Sequence, residues 1–517
     1  MQRAVHDDMS RTVGWLSVLA LGCGSGHQAA IDVGGDTPIA PLDSARADTA
    51  VPPSTLAGVY IGQLPYDPAT DPDGLYRAVF GAGGMTDPNH IIANVDGMSP
   101  YLFFAAIDTT PADCDWGANG DACYSYDWTT FDADIAAILT IAPNWKINLL
   151  VQPANEGDQN RETPQYVFSS AYAAHVGAAN PQDMAVCGSY DGGTGTGSPY
   201  GSAGCTTGCS WNTSTNPATV GVPVFYETPI MTAYQRFITQ IAQHFSSDPA
   251  ICAAHSSDCT VAAAIASHIG YVRFGMGLGS EVDPLCNTHW PVGPNGSFAA
   301  SYVGATEGSP ANNYIETMTK FEASAVTSAH DAWTLVFDTH TIGPLNGYPD
   351  WMADYAVAAG FGFGNNGLQI SDKTNFAGGN ACNADWCANA AKYSAEVPVY
   401  LQTFSESAPG GVLGFGGTSP GQQLTGSLTD LLPFAVARGA TILEIYPCDA
   451  VFAFASTYAF DRTTGAGLPN LATNTASGEY CADNNGIPGA YTEATWQTYG
   501  GGAGSNNPYA AAIAAAR

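Results

Sequence analysis

Eight short apolar runs, separated by stretches with helical spacing, predict an α/β chain that closes into a (β/α)8 TIM barrel with long disulfide-bonded βα-loops. The runs are apolar on both faces and rich in β-branched residues, as strands buried between a core and a helix layer must be. The intervening stretches carry apolar residues at i, i+3, i+4 and i+7, one face of a helix. No glycine-rich nucleotide fingerprint follows the first run, which favours the barrel over its alternative, a doubly wound open sheet.

The predicted strands are Val59–Gly62, Leu102–Asp108, Lys146–Gln152, Gly270–Gly277, Trp333–His340, Leu368–Ser371, Val397–Phe404 and Ile442–Pro447. Helical stripes lie between them: Phe131, Ile135, Ile138 and Leu139; Tyr234, Phe237, Ile238, Ile241 and Phe245; Tyr314, Met318 and Phe321; Trp351, Met352 and Tyr355; Leu428, Leu431, Leu432 and Ala435. The length beyond a minimal barrel sits partly in a Gly/Ser/Thr-rich stretch from Gly177 to Pro223.

Ahead of the barrel the pattern differs. Arg3 and Arg11 precede an apolar run, Val13 to Leu21, that is too short to span a bilayer and reads as a secretory signal over residues 1–22. The run ends Leu19-Ala20-Leu21-Gly22-Cys23, which resembles the lipobox of bacterial lipoproteins. That resemblance implies a lipidated Cys23, and with it an outer-membrane or other membrane-anchored protein at the cell surface. Residues 23–55, rich in Gly, Ala, Asp, Pro and Thr, read as the flexible tether, and 56–517 as the barrel.

Of the 13 cysteines, removing Cys23 leaves an even set, as disulfide pairing in an oxidising compartment requires. Closeness in sequence pairs Cys114 with Cys123, Cys252 with Cys259 and Cys382 with Cys387. Cys448 with Cys481 would tie a late strand to the C-terminal region, and Cys187, Cys205, Cys209 and Cys286 stay unassigned. Their irregular spacing, without CxxC, argues against zinc, and no metal or cofactor is implied.

Lys and Arg total 14 against 46 Asp and Glu, a formal net charge of −32. Nucleic acid as a partner is excluded for want of a basic footprint, and polyanionic polymers would be repelled. The substrate expected is therefore neutral or cationic, and the chain is expected to act as a monomer that meets the membrane only through its lipid.

In a barrel the functional groups sit at the C-terminal ends of the strands. Those ends carry Asp108, Glu281 in Gly277-Leu278-Gly279-Ser280-Glu281, His340, Gln402 with Glu406 beyond it, and Glu444 with Tyr446. Alternation puts Ile442, Glu444 and Tyr446 on one face. A lone carboxylate on the helix side would be an uncompensated charge in hydrocarbon, so Glu444 is expected inside the barrel unless it pairs with Arg273 or Arg438. Asp108, His340, Gln402 and Tyr446 are candidate sugar hydrogen-bonders. Trp128 and Trp290 are candidate stacking platforms, since sugar faces are apolar.

Tyr126-Asp127-Trp128, Thr163-Pro164, and Gly270 to Phe274 running into Ser280-Glu281 resemble the clan A (β/α)8-barrel glycoside hydrolases. The resemblance implies Glu281 as acid/base, with Ser280 standing where that clan usually has Asn. It implies a nucleophile ending strand seven, for which Glu406 is the nearest match, and retention of configuration. Glu444 is the second carboxylate favoured by the residues themselves. The function expected is an extracellular glycoside hydrolase acting on a neutral poly- or oligosaccharide, with two carboxylates doing acid/base and nucleophilic work. The alternative is a non-catalytic carbohydrate-binding surface lipoprotein on the same fold.

Overall fold

The computed structural model describes residues 56–67, 75–80, 87, 90–153, 163–178, 185–189, 219–223, 225, 228–276, 310–327, 333–340, 350–368, 385–403, 426–454 and 507–517. Within these, some side chains are outside the described set, among them those of 185–189, 219–223, 339, 340 and 448. The signal, the tether, Cys23, Glu281, Trp290, Glu406 and Cys481 all lie outside the described residues.

The strands are β1 Gly58–Gly62, β2 Gly97–Ser99, β3 Tyr101–Phe103, β4 Lys146–Gln152, β5 Ala185–Ser189, β6 Thr219–Pro223, β7 Ile269–Phe274, β8 Thr334–His340, β9 Gly362–Leu368, β10 Val399–Thr403 and β11 Ala440–Ile445. All but β5 and β6 form one sheet in the order β2-β1-β11-β10-β9-β8-β7-β4-β3, closed by a further β2–β4 pairing. Every ladder in that sheet is parallel. Pro100, which has no N–H to give, splits one barrel strand into β2 and β3. Its carbonyl still accepts from Leu150 N at 3.0 Å, so the ladder onto β4 continues across the break. Counted that way the barrel has eight strands, as the sequence predicts.

The strand pleat sorts the side chains. Tyr60, Leu150, Tyr271, Val336, Tyr400 and Ile442 pack together inside the barrel. Their neighbours one residue along, such as Val59, Ile61, Val272, Leu335, Phe337, Leu401 and Leu443, face outward into the larger core beneath the helices. Those helices include Thr129–Ile141, Thr228–His244, Pro310–Thr327, Asp350–Ala358 and Leu428–Ala437, each on one of the expected stripes. Full burial of each large apolar side chain there contributes about 1.5–3 kcal/mol. A last helix, Pro508–Ala516, seats Tyr509 and Ile513 in the same core. Arg517 beyond it forks onto Asp96, with NH2 to Oδ1 at 2.8 Å.

Three expectations need correction. The second strand is Gly97–Phe103 rather than Leu102–Asp108: Phe104–Ile107 is a helical turn, and Asp108 follows that turn instead of ending a strand. The sixth strand is Gly362–Leu368, not Leu368–Ser371, and its sequence, GFGNNGL, looks like a loop. The interior explains this one: a Cβ on Gly364 would lie 2.4 Å from Cδ1 of Tyr400, so the tyrosine ring fills the space a side chain would take. Third, the disulfides are not confined to βα-loops: Cys252–Cys259 forms as expected, but it joins helices Pro249–His255 and Cys259–His268.

Cys114–Cys123 does close the loop after β3, as expected. Cys387 is disulfide-bonded, with its partner outside the described residues. The long insertion expected after β4 contains an antiparallel hairpin, β5 with β6.

Barrel closure is sterically tight at Gly97, where a Cβ would lie 1.9 Å from the Lys146 carbonyl oxygen. Gly97→Ala should therefore push β2 off β4 and destabilise the fold by about 3 kcal/mol or more, read as a fall in the urea midpoint.

Candidate functional site

The interior turns from apolar to polar within one pleat step. Two residues beyond Tyr271 comes Arg273, beyond Val336 Asp338, beyond Tyr400 Gln402, and beyond Ile442 Glu444. Glu444 thus points into the barrel, in register with Tyr60 on β1 and Gln402 on β10. It is 1% exposed. Tyr271 donates to its Oε1, and Tyr400 to its Oε2 at 2.7 Å. The alternative expectation, an ion pair with Arg273 or Arg438, is not what the geometry shows.

Arg273 instead pairs with Asp338, NH1 to Oδ2 at 2.6 Å, with both side chains at 0% exposure. The same nitrogen reaches Tyr400 Oη at 2.5 Å and Gln402 Oε1 at 3.1 Å. Tyr400 has one proton. Tyr400 Oη lies 2.8 Å from Gln402 Oε1 and 2.7 Å from Glu444 Oε2, and its proton goes to the carboxylate because an ionised acceptor makes the stronger hydrogen bond. The chain Asp338–Arg273–Tyr400–Glu444 therefore links strands five, four, seven and eight. On the other side Tyr271 Oη contacts Ser99 Oγ at 3.0 Å, which accepts from Asn148 Nδ2 at 3.1 Å. Burial, first, holds the phenols of Tyr271 and Tyr400 well above their usual range, so both remain donors.

Gly62, the last residue of β1, makes room for the carboxylate: a Cβ there would be 2.8 Å from Glu444 Oε2 and 3.3 Å from Gln402 Nε2. Gln402 is 0% exposed, and among the described residues its Nε2 has no hydrogen-bond partner. The next residue, Gln63, has φ +57°, the left-handed region that costs a non-glycine residue about 1–2 kcal/mol. Its N–H donates to Ser99 O at 2.9 Å, and its Nε2 to Tyr446 Oη at 3.2 Å.

Other expected residues fall elsewhere. His340 ends β8, in register with Asn366. Trp128 is packed into the helix layer, stacked on His244 at 4.2 Å and against Phe131 and Phe245, so its ring is core rather than a platform open to a sugar. Asp108 belongs to a second buried group on the loops after the second and third strands. Its Oδ2 accepts from Tyr166 Oη at 2.9 Å and its Oδ1 from Thr110 N at 3.0 Å. Sequence reasoning passed over Tyr271, Tyr400, Gly62 and Gln63. The signal for the tyrosines was present: Tyr271 and Arg273, like Tyr400 and Gln402, are two apart on strands whose flanks are apolar.

What fold and site define is a (β/α)8 barrel whose upper interior holds a fixed carboxylate, a guanidinium and several hydroxyls. No family model and no curated protein matches the chain. Among solved structures it is similar to the β-galactosidase of the psychrophilic Marinomonas ef1, at 8% identity and TM-score 0.38 over 75% of this chain and 53% of that one. It is also similar to endo-glycoceramidase II from Rhodococcus sp., at 11% identity and TM-score 0.35 over 76% of this chain and 73% of that one. A third is the β-galactosidase of the Antarctic haloarchaeon Halorubrum lacusprofundi, at 10% identity and TM-score 0.36 over 75% and 52%. This chain spans about half the length of the two β-galactosidases and 73% of the endo-glycoceramidase.

Two outcomes follow from these contacts. Asp338→Ala removes the carboxylate paired with the buried Arg273 guanidinium and should cost about 3–5 kcal/mol in urea unfolding. The pH profile carries the second. Burial raises the Asp108 carboxyl to about 6, against the opposing hydrogen bonds from Thr110 and Tyr166. The folded state then binds this proton more tightly than the unfolded chain, whose aspartates titrate near ~3.9. The stability this contributes is complete below that lower pH and lost as pH rises through about 6. Asp108→Asn should remove up to about 3 kcal/mol of that decline, measured by urea unfolding across the interval.

Proposed function

We propose that this chain is a surface-anchored glycoside hydrolase that cleaves O-glycosidic bonds of a neutral poly- or oligosaccharide at the mouth of the barrel. The observation that carries the reading is Glu444: a carboxylate turned inward near the C-terminal end of the eighth strand and held in one orientation by two phenols. The active sites of such barrels lie at that end. Cleavage needs two of them.

In this reading Glu281 protonates the leaving oxygen as the C1–O bond breaks. A second carboxylate, Glu444 or Glu406, bonds to C1, and water then displaces it, returning its proton to Glu281. Retention requires the two carboxyl groups to stand about 5 Å apart. Gln402 and Tyr446 serve as hydrogen-bonding groups for the sugar, with His340 and Trp290 as further contacts. Lipidation of Cys23 and the tether through residue 55 place the barrel outside the cell.

One observation favours the second reading, a carbohydrate-binding protein without turnover. Both Glu444 oxygens are already occupied by Tyr271 and Tyr400, and the residue is almost fully buried.

Release of reducing ends from a polysaccharide panel, with 4-nitrophenyl glycosides in parallel, separates the two. Glu281→Gln should lower polysaccharide cleavage about 10²–10⁴-fold. Aryl glycosides, whose leaving group needs little protonation, should lose less. Glu444→Gln and Glu406→Gln identify the second carboxylate by which of them abolishes turnover on both substrates. Wild-type protein that binds a glycan yet releases no reducing ends from any would establish the binder instead.

A further inference from the structure

Gln63 adopts a backbone conformation that a glycine would take freely. Its side chain is held there and crosses from the end of β1 to the hydroxyl of Tyr446, just past the end of β11. The β1–β11 register pairs Tyr60 with Glu444 and Ile61 with Ile445, so Gln63 and Tyr446 lie beyond Glu444, toward the mouth. Beneath Gln63 is Gly62, without a side chain, and facing Gly62 are Glu444 Oε2 and the Gln402 amide nitrogen, which is buried and has no partner among the described residues. Gln63 is half-buried, and among the described residues its side chain bonds through Nε2 to Tyr446, with no bond to its Oε1. Non-glycine residues in this region cluster at ligand clamps, where surrounding contacts hold the strain.

We propose that Gln63 and Tyr446 form a clamp over Glu444 that recognises a sugar hydroxyl, with the Gln402 amide as the inner donor, so that Gln63 is a specificity-determining residue. The inference rests on the glycosidase or glycan-binding reading given above. An amide oxygen at the mouth accepts from a sugar O–H, and the inner amide N–H donates to a sugar oxygen. A neutral polyhydroxyl ring supplies both partners, whereas an apolar ligand supplies neither.

Gln63→Gly separates a clamp from a merely structural turn, because glycine relieves the backbone strain while deleting the side chain. The probes are 4-nitrophenyl glycosides of glucose, galactose, mannose and xylose, and the readouts are the thermal midpoint, KM and kcat. The clamp predicts an unchanged or higher midpoint, and KM raised about tenfold or more on the best-cleaved sugar with kcat nearly unchanged. Such a split marks a contact made equally in ground and transition states. Tyr446→Phe should act in the same direction, and the double variant should be little worse than either single one. If wild type cleaves the panel and Gln63→Gly leaves KM and sugar preference unchanged, the clamp is overturned and the hydrolase reading survives. If wild type neither cleaves nor binds any of the four sugars or their polymers, both fall. A lower thermal midpoint in Gln63→Gly, with KM unaltered, would make Gln63 structural.

Discussion

A guanidinium sealed inside a barrel must be matched by negative charge and hydrogen bonds, or the barrel does not form. Arg273 is that group here. Asp338 compensates it directly, and further contacts run through Tyr400 and Gln402 toward Glu444. The chain of partners then fixes much else. Tyr400 reaches the middle of the barrel only because Gly364 across from it has no side chain. Glu444 fits only because Gly62 has none either. Tyr271 carries the network on to Ser99 and Asn148, so strands two, three, four, five, seven and eight share one set of hydrogen bonds.

Two cores of different character follow. The outer one, beneath the helices, is apolar and supplies most of the burial free energy. The inner one is small and aromatic in its lower layer, with Tyr60, Tyr271 and Tyr400 meeting edge-on, at centroid distances of 6.1 and 5.6 Å. It becomes polar toward the mouth. Replacing a buried ion pair by apolar side chains is often neutral for stability. The polar layer is therefore better explained by orientation than by stability: it holds one carboxylate at one angle.

Legibility of the fold tracked side-chain chemistry. Strands such as Lys146–Gln152 and Trp333–His340 were readable because both faces are apolar for most of their length. The sixth strand was not, because its interior positions are Gly362, Gly364 and Asn366, and a residue chosen for its smallness leaves no hydrophobic signal. The second strand was misplaced for the opposite reason: Phe104, Ala105, Ala106 and Ile107 are as apolar as a strand but coil into one helical turn. Of the site, alternation alone put Glu444 inside. What it could not supply was the partner. Tyr271 and Tyr400 lie 173 and 44 residues from Glu444 in sequence, and only closure brings them to it. Glycines at 62 and 364 are equally silent until the opposing side chain is known.

Charge distribution bears on what such a mouth can recognise. With 14 basic residues against 46 acidic ones, the chain has few cations to offer a ligand. Those described are largely engaged at home: Arg236 with Asp121, Arg273 with Asp338, Lys320 with Glu316, Lys392 with Asp354, and Arg517 with Asp96. The acidic excess therefore sets a negative field that discourages polyanions at any but high ionic strength. A neutral polymer would be indifferent to that field, and under the proposed function its recognition would fall to uncharged groups. Amides and phenols at the ends of β1, β10 and β11 (Gln63, Gln402 and Tyr446) are groups of that kind. They lie about Glu444, which the closed barrel turns inward and fixes between two tyrosines.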